Sequence, residues 1–159
     1  MKTVQILQAL LTPLIAIIAT YIAYQQWNTN KQKLKMEKYE RGLRVYQEVV
    51  KILRLIGRDL DPKLDDLLGF WVAVAETDFL FGPEIRQYIE EIFSHGLKLR
   101  SAKMQYHDFS QGPPPSGYSH NRVVQEMQSE ETWLTEQITI VEGRLAVVEK
   151  FRTYLDISQ

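Results

Sequence analysis

The feature that most constrains this chain is an uncharged, mostly apolar stretch near its amino end, from Val4 to Tyr24. As a helix rising about 1.5 Å per residue, the stretch would extend roughly 30 Å, the hydrocarbon thickness of a bilayer. We therefore predict a single transmembrane helix, with residues 1–27 forming the anchor and its interface, and residues 28–159 forming a helical domain. No small-x-small cleavage pattern follows the stretch, so we expect an uncleaved anchor rather than a secretory signal.

Cations lie mainly on one side of this stretch. Only Lys2 and the amino terminus precede it, whereas the nearest cations after it are lysines: Lys31, Lys33, Lys35 and Lys38. The positive-inside bias places the C-terminal domain in the cytoplasm and the short N-terminus outside. Trp27 and these lysines are predicted to contact lipid headgroups, because aromatic rings and ammonium groups favour that layer.

Small and polar side chains share one arc of the predicted membrane helix. At about 100° per residue, an arc of about 120° holds no large apolar side chain within the stretch. Because helix contacts in a bilayer favour small residues, we predict a homo-oligomer with a seam along this arc. The alternative is that the glutamines lie near the outer headgroups and the alanines are incidental. The predicted seam comprises Gln5, Gln8, Thr12, Ala16, Ala19, Thr20 and Ala23.

The remaining chain is basic near the anchor and acidic farther along. Residues 28–60 hold nine Lys/Arg against four Asp/Glu, and residues 61–159 hold nine against sixteen. An acidic distal part argues against nucleic acid as the main partner. The chain has no cysteine, which excludes disulfides, Cys-ligated zinc and a cysteine nucleophile, and suits a reducing compartment.

The apolar periodicity after the anchor predicts an all-α domain, an antiparallel bundle of about four helices. We place helices at about 31–59, 62–77, 83–106 and 121–152, with Asn28-Thr29-Asn30 bending or capping the chain before the first. Asp61 is the predicted N-cap of the second helix, followed by Pro62 at its first position. Residues 107–120 contain three consecutive prolines and are predicted to form a surface loop between helices. The second helix is expected to bury Leu64, Leu67, Leu68, Trp71, Val74 and Ala75.

The last predicted helix carries a heptad-like seam. Apolar residues recur every seven positions and others fill the alternate positions, with Glu131 and Arg152 interrupting the pattern. Packing within the bundle and an intermolecular coiled coil both remain open at this point. The seam comprises Met127, Leu134, Val141, Val148 and Leu155, with Val124, Ile138 and Leu145 between them.

A turn containing Phe79, Leu80 and Phe81 separates the second and third predicted helices. Bulky apolar residues at such a corner commonly close the end of a bundle core. Alternatively, they form an exposed docking patch rimmed by Glu76, Asp78 and Glu84.

Several short motifs together resemble a widespread group of small bacterial membrane-anchored helical proteins. They are the anchor ending in Tyr-Gln-Gln-Trp, the Lys-Leu-Lys that follows it, then Tyr39, Arg41 and Tyr46, the Phe-Leu-Phe-Gly-x-Glu turn and the terminal Phe-x-x-Tyr-Leu. The resemblance covers most of the chain. It implies this architecture and a bacterial inner membrane, and it implies no chemistry.

The sequence has no catalytic, metal or cofactor signature. None of His95, His107 and His120 has a second histidine four residues away, as a helical HExxH metal site requires, and no phosphate-binding glycine loop is present. His107, Asp108 and His120 bracket the Pro-rich loop and are interpreted as solvated residues; the alternative is that they meet. We therefore predict that the protein is not an enzyme. We expect a membrane-tethered interaction or scaffold domain that holds a cytosolic protein, or copies of itself, at the inner membrane. The alternative is an oligomerising membrane effector or sensor subunit of a stress or phage response.

Overall fold

The computed structural model describes residues 2–141 and 144–155, with side chains for residues 13–110, 112–139 and 146–155. The described chain is helical apart from one pair of two-residue strands, so the predicted all-α class is confirmed. Contacts divide it into two compact units, Met1–Glu40 and Arg41–Gln159.

Helix α1 runs without a break from Lys2 to Asp59. The predicted bend or cap at residues 28–30 is therefore wrong, because the helix continues through them. No glycine or proline lies between residues 14 and 41, and asparagine or threonine inside a helix costs only a few tenths of a kcal/mol. The helix ends where Leu60 adopts a left-handed conformation with φ 49° and Pro62 follows.

The second predicted helix is shorter than expected. Helix α2 spans Leu64–Ala73 and helix α3 spans Thr77–Leu80. Asp61 is not the N-cap of α2; Lys63 occupies that position without a side-chain hydrogen bond. Pro62 is instead buried before the helix, where its carbonyl accepts a hydrogen bond from Arg100 at 3.4 Å.

Helix α4 spans Pro83–Gln105 and begins with proline in its first turn, as predicted. After a 3-10 turn at Phe109–Gln111, helix α5 spans His120–Glu136. Side-chain contacts join Tyr88 to Gln137, and Tyr106 to His120. Because the residue numbers run in opposite directions along the two helices, α4 and α5 are antiparallel neighbours.

The last predicted helix is interrupted. Strands β1, Ile140–Val141, and β2, Arg144–Leu145, pair antiparallel before helix α6 begins at Ala146 and ends at Arg152. The continuous helix over 121–152 is therefore wrong, and a heptad seam does not run through it. Residues 138–141 are all β-branched, which favours extended backbone over helix.

One apolar core fills the unit Arg41–Gln159. The second part of α1 contributes one row of it, and α2, α4, α5 and α6 contribute the rest. Ile56, Leu67, Ile92, Leu99, Val147 and Phe151 are among its fully buried side chains. This core fixes the helix faces that remain exposed, and those faces carry the candidate sites.

Candidate functional site: exposed faces and the 79–81 corner

The described amino-terminal side chains of α1, residues 13–38, are all exposed. Large apolar side chains are prominent among them: Leu14, Ile15, Ile17, Ile18, Tyr21 and Ile22. Of the predicted seam, Ala16, Ala19, Thr20 and Ala23 lie in this exposed part. The side chains of Gln5, Gln8 and Thr12 lie outside the described residues. The Thr20 hydroxyl donates to the Ala16 carbonyl at 2.8 Å, which satisfies the hydroxyl within the helix.

Aromatic rings and lysines meet directly after the apolar stretch. The rings of Tyr24 and Trp27 lie 6.3 Å apart, and the Lys31 ammonium lies 5.3 Å from the Trp27 ring centroid. Helical spacing places Lys31, Lys35 and Lys38 on the same face as these rings, whereas Lys33 lies on another face. Aromatic and cationic groups in this order are typical of a membrane–water interface.

Among the residues described with their side chains, no helix carries an apolar stretch long enough to cross a bilayer. The predicted span, 4–24, includes residues 4–12, whose side chains lie outside that part of the structure.

The corner at residues 79–81 separates into two environments. Phe79 is 87% exposed, whereas Leu80 and Phe81 pack against the core. The Phe81 ring makes edge contacts with Phe151 and Tyr154, with both centroid distances at 5.4 Å. Leu80 and Phe81 therefore close one end of the core, and Phe79 alone of the three projects into solvent.

A hydrogen bond links this corner to the end of the chain. The Tyr154 hydroxyl donates to the Glu84 carboxylate at the start of α4. This bond lowers the pKa of the Glu84 carboxyl and raises the pKa of the Tyr154 hydroxyl, because it stabilises the carboxylate and the neutral phenol.

Helix α2 is exposed on a face that was expected to be inside. Leu67 and Val74 are buried as predicted, but Leu64, Leu68, Trp71 and Ala75 are exposed. Phe70 is buried in their place. The signal was ambiguous because apolar residues occur on both sides of α2, so periodicity alone does not select the inner face.

His95 belongs to a partly buried polar contact between α4 and α5. Its Nδ1 atom is hydrogen-bonded to the buried carboxylate of Glu130, and its ring stacks on Trp133 with centroids 3.9 Å apart. No sequence pattern predicts this pairing, because His95 and Glu130 are distant in the chain. The contact connects the two helices.

The Pro-rich loop contains its own aromatic cluster. The Tyr118 hydroxyl accepts from the backbone N–H of His107 at 3.0 Å and lies 3.2 Å from His120 Nδ1. The Phe109 ring lies 5.0 Å from the His120 ring. Asp108 accepts from the Ser110 N–H at 2.9 Å, and backbone and side-chain hydrogen bonds from Ser110 lower the pKa of its carboxyl. His107 and His120 are thus half-buried and meet at Tyr118, so the interpretation of both as solvated residues is wrong, whereas Asp108 is exposed as expected. The loop follows the predicted bounds of 107–120 closely.

Within the described residues, no group of three or more His, Asp or Glu side chains is arranged to hold a metal ion. Compared with known family models, curated proteins and solved structures, the chain matches none of them.

Proposed function

We propose that this protein is a non-enzymatic, membrane-tethered interaction domain of the bacterial inner membrane. Residues 4–24 cross the bilayer, the short N-terminus lies outside, and residues 28–159 form a cytoplasmic domain that holds another protein at the membrane. The observation that supports this proposal best is the order of groups along α1. Exposed apolar side chains lead into Tyr24 and Trp27, and then into four exposed lysines.

The separate core of residues 41–159 supports the same proposal. Its buried side chains satisfy one another, and no described side-chain polar atom is buried without a hydrogen-bond partner. A domain of this kind holds a shape while its outer faces remain available for contacts. By contrast, the large apolar side chains between residues 14 and 22 are exposed in the described chain, and lipid tails would cover them.

Fractionation and topology reporters test the proposal. The full chain, expressed in bacteria, should stay with membranes after alkaline carbonate extraction. The Ile17→Lys/Ile18→Lys variant should lose membrane retention, because charge inside the hydrocarbon layer is costly. A control, Ile17→Leu/Ile18→Leu, should be retained.

For the orientation, a C-terminal fluorescent-protein fusion should be bright and a C-terminal alkaline phosphatase fusion inactive. An active phosphatase fusion, or extraction of the unmodified chain, would contradict the proposal.

A second candidate is an oligomerising membrane effector or sensor subunit. The observation that favours it is the arc of small side chains, in which Ala16, Ala19, Thr20 and Ala23 are exposed. An effector of this kind changes membrane permeability when it assembles, whereas a scaffold does not. Uptake of a membrane-impermeant dye separates the two functions. An effector should let the dye into expressing cells, and less of it into cells expressing Ala16→Ile/Ala19→Ile, whereas a scaffold should not admit the dye.

A further inference from the structure

Helix α2 presents an exposed apolar face on the domain of residues 41–159. The face consists of Leu64, Leu68, Trp71 and Val72, spaced i, i+4, i+7 and i+8, and we call it the α2 face. Val72 is 74% exposed, and the other three are each more than 40% exposed. Contiguous apolar side chains at this spacing on a domain surface mark contact sites for another molecule.

The α2 face is not a consequence of a poorly packed helix. The opposite side of α2 buries Leu67 and Phe70 in the core. Trp71 packs against Phe93 of the domain, with ring centroids 4.8 Å apart and an angle of 34° between the rings. This contact restricts the exposed ring, which reduces the side-chain entropy that a partner must overcome on binding.

A cavity of about 340 Å³ opens beside Trp71 and Val72. Its apolar wall includes Trp71, Val74 and Ile89. Its polar wall includes Asp78, Arg86 and Glu90, where the Arg86 Nε lies 3.3 Å from Asp78 and 2.9 Å from Glu90. Two carboxylates thus share one guanidinium, and the polar wall is negatively charged.

The chain around the α2 face is acidic as well. Residues 61–81 contain five carboxylates and one lysine. A second copy docked through the same face would bring these carboxylates together, and an anionic lipid surface would repel them. Charge complementarity therefore selects a cationic partner.

We propose that the α2 face and its cavity bind a cationic amphipathic helix of another protein. Apolar side chains of the partner cover Leu64, Leu68 and Val72. A partner lysine or arginine enters the cavity, with its aliphatic stem along Trp71 and its cationic tip near Asp78 and Glu90. This inference rests on the proposed function, because it names the docking face and partner chemistry of the interaction domain.

The test uses two synthetic helical peptides with identical leucine positions, one with lysine and one with glutamate at the polar positions. Fluorescence anisotropy measures their binding to the full chain in zwitterionic nanodiscs, with empty nanodiscs as the baseline. The leucine–lysine peptide should bind, and Leu68→Gln/Val72→Gln should weaken binding at least tenfold. Met104 is 75% exposed and lies outside the face, so Met104→Gln is the matched control and should not alter binding. Asp78→Asn/Glu90→Gln should weaken binding and reduce its dependence on salt.

Any of the following results would overturn the inference. Equal binding of both peptides would show that charge does not select the partner. Equal loss in the Met104 control would show that the α2 face is not the site. A concentration-dependent dimer abolished by Val72→Gln would assign the face to a second copy. Carbonate extraction of the same variants measures membrane retention separately from peptide binding. A chain that is retained in the membrane but does not bind the peptide contradicts the docking face and leaves the membrane proposal intact.

Discussion

Gly96 on α4 lies directly against Leu67 on α2. A β-carbon added at Gly96 would lie 2.7 Å from Leu67 Cδ2, closer than carbon atoms approach in packed proteins. Leu67 is fully buried, so its side chain has little room to move away. The absence of a side chain at Gly96 therefore sets how closely α2 packs on α4, and with it the position of the α2 face.

This relationship predicts that alanine has different effects on stability at two helical glycines. Gly69→Ala should stabilise the domain by about 1 kcal/mol, because alanine favours helix and nothing lies within 4 Å of the new methyl group. Gly96→Ala adds the same propensity but forces Leu67 to move, at a cost of about 1–3 kcal/mol. It should leave stability unchanged or reduced. Chemical denaturation of both variants measures the difference, and equal stabilisation would disprove the close approach.

The Glu84–Tyr154 hydrogen bond predicts that the stability of the domain decreases at acid pH. The bond lowers the folded-state pKa of Glu84, so its contribution to stability is present above the ordinary carboxyl pKa. It is lost as the pH falls through the folded-state value. Tyr154→Phe should shift the Glu84 midpoint upward in an NMR titration and reduce stability more at neutral than at acid pH. Tyr118→Phe, which removes a hydroxyl from the Pro-rich loop, should leave the Glu84 midpoint unchanged.

Much of this fold could be predicted from periodicity and helix-boundary residues. Helix α4 begins at Pro83 and carries one clear apolar stripe, so its bounds and inner face were both predictable. The break after α5 was missed because the apolar spacing continues in phase across residues 138–141, although their β-branched side chains favour strand. The heptad spacing correctly located the apolar residues of this segment. The strand preference of the β-branched side chains at residues 138–141 determined its backbone conformation.

The candidate sites were less predictable than the helices. At the 79–81 corner, composition could not separate the exposed Phe79 from Phe81, which packs on Phe151 from another part of the chain. On α2, apolar residues occupy both sides, and the choice of inner face depends on Gly96 admitting Leu67. Both outcomes depend on contacts between residues distant in the sequence, which a local pattern does not contain.

The packing of α6 gives a prediction about the end of the chain. Phe151 is fully buried, and its ring contacts Phe81 and Tyr46, the latter with centroids 5.5 Å apart. Phe151→Ala should therefore destabilise the domain by about 3–5 kcal/mol. Phe109→Ala, at a more exposed ring in the Pro-rich loop, should cost far less. Thermal or chemical denaturation compares the two, and a small loss for Phe151→Ala would mean that α6 does not complete the core.

The lysines after Trp27 give a prediction about lipid preference, which follows from the proposed membrane anchor. Lys31, Lys35 and Lys38 share the face of Tyr24 and Trp27, and each lysine near an anionic surface contributes about 1 kcal/mol. Replacing these three with glutamine should remove the enrichment of anionic lipid around the purified chain, measured by native mass spectrometry from mixed nanodiscs. A control with glutamine at Lys51, Lys63 and Lys98, all outside the lysines that follow Trp27, has the same charge change. Equal losses in both variants would show that total charge, rather than this face, attracts the lipid.

The small-residue arc of α1 gives the last prediction, which also follows from the membrane proposal. Lipid tails pack well on bulky side chains, whereas two helices approach closely through small ones. Ala16→Ile/Ala19→Ile should therefore weaken self-association in a two-hybrid reporter that measures helix contacts within the bacterial membrane. Ile17→Leu changes a bulky side chain outside the arc and should leave the signal intact. Thr20→Val should have little effect, because the Thr20 hydroxyl is already bonded to the Ala16 carbonyl of its own helix. Equal reporter signals from the alanine variant and the Ile17 control would mean that the arc faces lipid and that any oligomer forms elsewhere.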